Sequence, residues 1–163
     1  MKIRKAGIQD LERLLEIYNY EVLYGISTLD LTEKTLEERK QWFEGHNVAN
    51  HPLYVAEVEG QVAGYVCLSS YREKEAYYST VELSVYVDVN YRRKGIASKL
   101  MEFILEEARN REDIHTIISV ITSANAASRH LHEKYGFQYS GTIREAGIKH
   151  GSYQDIENYQ LMV

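Results

Sequence analysis

The sequence predicts an α/β (α+β) fold, with helices laid on one central sheet, and three observations carry that reading. Residues 53–57 and 61–68 are two strand-like runs flanking Glu59-Gly60, the pattern of a β-hairpin. Residues 80–87, rich in β-branched and aromatic side chains, stand directly before a basic loop and a strongly amphipathic stretch. Residues 114–122 then form a near-continuous apolar run, suited to a strand covered on both faces. With 163 residues and neither a repeat nor a shift in composition, the chain reads as one domain, 1–163.

Each element follows in order. Ile3 starts a short strand, and Asp10 is placed to cap a helix whose Leu11, Leu14, Leu15, Tyr18 and Val22 recur at helical spacing. A second helix covers 35–43, the hairpin follows, and 71–79 is a polar, aromatic connection into the central strand 80–87. From residue 96, Ile96, Leu100, Phe103 and Ile104, with Ala97, Met101, Leu105 and Ala108 alongside, make a broad apolar stripe. After the strand 114–122, a short helix over about 125–135 stops at Gly136, a residue type suited to the left-handed position past a helix end. Residues 137–163 hold two more strands around His150-Gly151-Ser152.

Composition narrows the function. Hydrophobic residues at 44% and charged residues at 26% fit a globular protein, and no apolar run could cross a bilayer, so a cytoplasmic location is expected. Cys67 is the sole cysteine and sits in an apolar run, which excludes a disulfide within the chain and suggests a buried, inert thiol. His130 and His132 diverge on their helix, and no cysteine or carboxylate spacing suggests a metal. The net charge of −5 with scattered basic residues argues against nucleic acid. The exception is the triplet Arg92-Arg93-Lys94, which suggests a small anionic ligand.

That triplet opens Arg92-Arg93-Lys94-Gly95-Ile96-Ala97, set between the central strand and the next helix. A first helical turn has unpaired N–H groups and a partial positive charge, and small residues at 95 and 97 let a phosphate approach the backbone. The spacing is neither a Walker loop nor a dinucleotide-binding turn. It resembles the Arg/Gln-x-x-Gly-x-Gly/Ala loop of the GNAT acetyltransferases. Asn125-Ala126-Ala127-Ser128 and Leu131–Phe137 resemble that superfamily's second signature. Longer similarities point to its phosphinothricin and methionine sulfoximine acetyltransferase branch: Ile17-Tyr18-Asn19, Leu36–Arg39 with Trp42-Phe43, Thr80–Val87, Leu131-His132-Glu133, and the stretch from Gly141-Thr142 to Gly151.

The resemblance implies a mostly antiparallel sheet splayed at an acetyl-CoA site, and acetyl transfer to the primary amine of a small amino-acid-like substrate. It assigns Val85, Tyr86 and Val87 to the pantetheine arm, like an added strand. The loop Arg92, Arg93, Lys94, Gly95, Ile96, Ala97 and Ser98 would hold the diphosphate, and Asn125 and Ser128 the part near the thioester. Asn125 is equally suited to plain helix capping. Glu82 is the implied base and His132 a base, acid or substrate contact, with Tyr135 as an alternative acid. Arg72 or Lys74 would meet a substrate anion and Tyr77 and Tyr78 wall the pocket, although Glu73 and Glu75 alternate with them. Relatives of this kind are commonly homodimers. Acetylation of peptide N-termini or polyamines, and non-catalytic acetyl-CoA binding, remain alternatives.

Overall fold

The computed structural model describes all residues, 1–163. Glu59 and Gly60 both adopt positive φ (50° and 79°), the requirement of a type I′ turn, and join β2 (Leu53–Val58) to β3 (Gln61–Ser70). Around this hairpin the sheet grows to seven strands with β1 (Lys2–Lys5), β4 (Thr80–Val87), β5 (Thr116–Thr122), β6 (Gln138–Lys149) and β7 (Ser152–Met162). Their order is β1-β2-β3-β4-β5-β7-β6, and only β4 and β5 run parallel. The sheet is therefore mixed and mostly antiparallel, as expected.

Period-two alternation divides the core. Val66, Leu68, Val81 and Leu83 point to one face, where they pack with Ile96, Leu100, Met101, Ile104 and Leu105 of α3 (Ile96–Arg109). Tyr65, Cys67, Leu53 and Val55 point to the other, against Leu14 and Ile17 of α1 (Leu11–Tyr24) and Trp42 and Phe43 of α2 (Leu36–Glu44). Burial pushes the Cys67 thiol up to about 11, which keeps it protonated and unreactive at neutral pH. Thr35 caps α2 by accepting from the Glu38 amide at 3.1 Å. No helix is long and apolar enough to cross a membrane.

Two expectations need correction. Asp10 precedes α1 but makes no side-chain cap; its carboxylate takes two hydrogen bonds from Arg4, at 2.8 and 2.9 Å, and one from the Gly7 amide. An ion pair with a neighbouring strand outcompetes the helix amides for it. β5 is not covered on both faces, because Val120 is 39% exposed where the sheet opens into the cleft described next.

Candidate active site

β4 and β5 stay paired only from Thr80 and Thr116 to Glu82 and Ile118. Beyond that point β4 remains bonded to β3 and β5 to β7, so Leu83–Val87 and Ser119–Thr122 face each other across a gap. The gap widens into a cleft of about 900 Å³. Its walls include Glu82, Val85, Tyr86, Val87, Arg92, Arg93, Gly95, Ile96, Ala97, Ser98, Asn125, Ser128 and His132, so most residues singled out in the sequence converge here. Ser119, which sequence reasoning missed, also lines it and keeps a buried hydroxyl without a partner.

At the gap's end, α3 begins without a side-chain cap. None of the amides of residues 93–98 donates to a protein acceptor. Arg93 and Gly95 both have positive φ (60° and 76°), and a Cβ built on Gly95 meets nothing within 4 Å. Successive free amides at a helix start make a concave, electropositive seat that fits a diphosphate. The basic side chains behave differently from expectation. Arg92 pairs with the buried Glu21 carboxylate and lies over Tyr20, while Lys94 turns to the Asn90 carbonyl at 3.3 Å and does not line the cleft. Arg92 and Arg93 line the cleft beside these unpaired amides, whereas Lys94 does not.

A strap formed by residues 25–29 closes the opposite side. Tyr86 and Thr122 donate to the Ser27 and Ile26 carbonyls at 3.4 and 2.7 Å, and Asn125 donates to the Ser27 hydroxyl at 3.3 Å. Lys149, almost fully buried, donates to the Glu21 and Thr28 carbonyls at 3.0 and 2.7 Å. The resemblance over residues 141–151 includes it without giving it a role, since a lysine at a strand end is ordinarily solvated. Burial holds its pKa below the usual lysine value. We expect Lys149→Met to lower stability by about 1–3 kcal/mol, because two carbonyls lose their donor. Denaturant melts would measure this, and an unchanged midpoint would mean the strap is held by its other bonds alone.

Titratable groups sit where the strands part. Glu82 is half-buried, forms no ion pair or hydrogen bond with protein, and has its pKa raised by desolvation. His132, on α4 (Ala126–Lys134), is 3% exposed. Its Nδ1 donates to the Ser128 carbonyl at 2.7 Å, which leaves Nε2 as the unprotonated nitrogen, and Nε2 has no partner. Burial lowers this histidine's pKa, so it rests neutral, as a proton acceptor. Asn125 is a helix cap, accepting from the Ser128 amide at 3.2 Å, and lines the cleft as well. Tyr135 lies outside the lining, with its hydroxyl donating to the Ser98 carbonyl at 2.9 Å, so it ties α4 to α3.

Arg72, Lys74, Tyr77 and Tyr78 also lie outside the lining. All four are exposed, and the Arg72 guanidinium is 5.2 and 5.9 Å from the Tyr71 and Tyr77 ring centres. Their connection nevertheless leads into β4, two residues ahead of Glu82.

A parallel strand pair that parts beside a helix start with unpaired amides is the framework of a coenzyme A-dependent acyltransferase. A profile of the Acetyltransferase (GNAT) family matches residues 11–137, so the chain belongs to that family and is an acetyl-CoA-dependent N-acetyltransferase. It is 36% identical to the L-methionine sulfoximine/L-methionine sulfone acetyltransferase of Pseudomonas paraeruginosa, over 98% of this chain and 92% of that one. A crystal structure of a ribosomal-protein-alanine N-acetyltransferase from Brucella melitensis superposes with a TM-score of 0.96 at 40% identity, covering all of both chains. A phosphinothricin acetyltransferase from Sinorhizobium meliloti, solved in complex with acetyl-CoA, has a TM-score of 0.95 and 31% identity, covering 99% of this chain and 88% of that one.

Proposed function

We propose that the enzyme acetylates the α-amino group of small amino acids of the phosphinothricin, methionine sulfoximine or methionine sulfone type. Relatives of those names support the reading over nearly the full chain. The observation that carries the mechanism is an unpaired, desolvated Glu82 at the point where β4 and β5 separate. An ammonium must lose a proton before its nitrogen can attack the thioester carbonyl, and Glu82 takes that proton. The C–N bond forms, and the adduct collapses by breaking C–S. His132 Nε2 takes the second amine proton and delivers it to the departing thiolate, so the products are the acetamide, coenzyme A thiol and one released proton.

In this reading Val85, Tyr86 and Val87 offer strand-edge peptide groups to the pantetheine arm, and the amides of 93–98 hold the diphosphate. Asn125 and Ser128 stand near the thioester, and the 71–78 connection with Arg72, Lys74, Tyr77 and Tyr78 forms the acceptor's approach. A cytoplasmic site of action follows from the need for acetyl-CoA. The exposed apolar side chains Tyr139, Ile143, Ile148 and Tyr153 on the β6–β7 hairpin suit a second copy of the chain, which light scattering would detect as a dimer.

One alternative has direct support, since the Brucella structure bears the name of a peptide acetyltransferase. Thiol release from acetyl-CoA with phosphinothricin, methionine sulfoximine, methionine sulfone, polyamines and alanine-terminated peptides separates the readings. Free amino acids should be the preferred acceptors. Preference for peptides would overturn the proposal, and cofactor binding without turnover on any amine would make the protein a binding module.

A further inference from the structure

Antiparallel register sets Glu82 of β4 directly opposite Ser69 of β3, on the face of the sheet that α1 and α2 cover. The Cβ atoms of such a pair are about 5 Å apart, within reach of a glutamate side chain. A hydroxyl facing a carboxylate at that range ordinarily donates to it, and the bond favours the ionised form. Glu82 takes no such bond: it has no hydrogen-bond partner in the protein, and burial alone shifts it. The Ser69 proton is committed elsewhere.

His46 takes it. This residue stands just past α2, 8% exposed, with its ring centre 4.3 Å from that of Trp42. Its Nδ1 lies 2.8 Å from the Trp42 carbonyl and its Nε2 2.8 Å from the Ser69 hydroxyl. A carbonyl only accepts, so Nδ1 bears the proton; in the neutral ring Nε2 is then an acceptor, and the Ser69 hydroxyl donates to it. Burial lowers the His46 pKa, which keeps the ring neutral at neutral pH. A thiol is the weaker acceptor, so Cys67 Sγ, 4.0 Å from the same oxygen, does not compete for the proton. Ser69 therefore turns lone pairs, not a proton, toward Glu82. Lone pairs repel a carboxylate and can accept from a carboxylic acid, and both effects favour the protonated form.

We propose that His46 is a positioning residue for the base: by holding the Ser69 proton away from Glu82, it keeps that carboxylate free of hydrogen bonds and basic enough to take the ammonium proton. The inference rests on the reading of Glu82 as the base and deepens it. No other neighbour supplies the effect. β5 sets Ile118 beside Glu82, and the 25–29 strap brings no charge. Cys67 and Tyr65 of β3, Tyr86 of β4 and Tyr18 of α1 all have raised pKa values and stay protonated, while His132 of α4 and His51 have lowered ones and stay neutral. Arg39 of α2, the nearby cation, donates to the Tyr65 hydroxyl at 2.6 Å and lies 3.4 Å from the Trp42 ring centre. None of these groups contributes to the shift of Glu82.

The pH profile of kcat/KM for the amine reads the device. His46→Phe keeps a flat ring against Trp42 and removes the acceptor, so the Ser69 hydroxyl turns to Glu82. The ascending limb should then move to lower pH by about one unit, the tenfold shift expected of one charge-assisted hydrogen bond. The plateau above it should fall, because a less basic carboxylate takes the proton less readily. In a Ser69→Ala background there is no hydroxyl to release, and adding His46→Phe should leave the limb where Ser69→Ala puts it. That contrast separates positioning from packing, since a packing defect would act with or without the hydroxyl. Nitrogen NMR of the isotope-labelled, unmutated protein needs no variant: His46 should bear its proton on Nδ1 at neutral pH. A proton on Nε2, a limb that stays or climbs in His46→Phe, or an equal shift in both backgrounds would overturn the inference. Survival of the same limb in Glu82→Gln would instead remove Glu82 as the base.

Discussion

Glu82→Gln is expected to lower kcat/KM for the amine by about 10²–10⁴-fold, the range for removing a positioned general base. Acetyl-CoA affinity should not change, because the free amides of 93–98 lie at the far end of the gap from Glu82. The pH profile supplies a second readout. Desolvation raises the Glu82 pKa above its ordinary value, and a base works only when ionised. Activity should therefore climb with pH through a value above the usual carboxylate range, and the substitution should remove that limb. His132 is neutral above its lowered pKa, so its own limb lies below the ordinary histidine range and remains in the variant. Stability should move the other way. A carboxyl with a raised folded-state pKa is harder to ionise in the fold than in the unfolded chain, so stability falls as pH rises from the ordinary value through the raised one. Gln carries no charge, and the variant should be at least as stable as the parent at neutral pH. Full activity in Glu82→Gln would transfer the role of first base to His132.

The sequence made the scaffold legible because its signals are local. The paired positive-φ turn at Glu59-Gly60, the apolar stripe of α3 and the Asn125 cap each arise from residues a few positions apart, and each stands where the pattern placed it. The free amides at the start of α3 were likewise readable, since glycine at 95 and the missing cap are both visible in the string. What could not be read depends on partners far away in the chain. Arg92 finds Glu21 across 71 positions and Lys149 finds Thr28 across 121, and no periodicity encodes either meeting. Asp10 misled for a different reason: Arg4 is only six positions away, but β1 holds it alongside the carboxylate, which overrides the cap-like position. Arg39 becomes a buried cation only through the closure of α2 over Tyr65, 26 positions away.

The second large effect concerns Gly95, where two substitutions separate backbone strain from occlusion. Its φ of 76° disfavours any L side chain, so both Gly95→Ala and Gly95→Trp should lose about 1–2 kcal/mol of stability. A Cβ at this position touches no protein atom, so alanine adds nothing beyond that strain. Tryptophan projects into the space above the free amides of 93–98, where a diphosphate needs close approach. If these peptide groups are the anchor, Gly95→Trp should weaken acetyl-CoA binding by about 100-fold or more, equivalent to losing one or two charge-assisted hydrogen bonds, while Gly95→Ala binds nearly as the parent does. Titration calorimetry with coenzyme A measures both. The contrast also weighs side chains against backbone: Arg92 is held by Glu21 and Lys94 by Asn90, so Lys94→Ala should cost far less affinity than Gly95→Trp. Were Lys94→Ala the more damaging change, the seat would be made of side-chain charge rather than peptide dipoles, and the splayed strands would have to hold the cofactor by its arm.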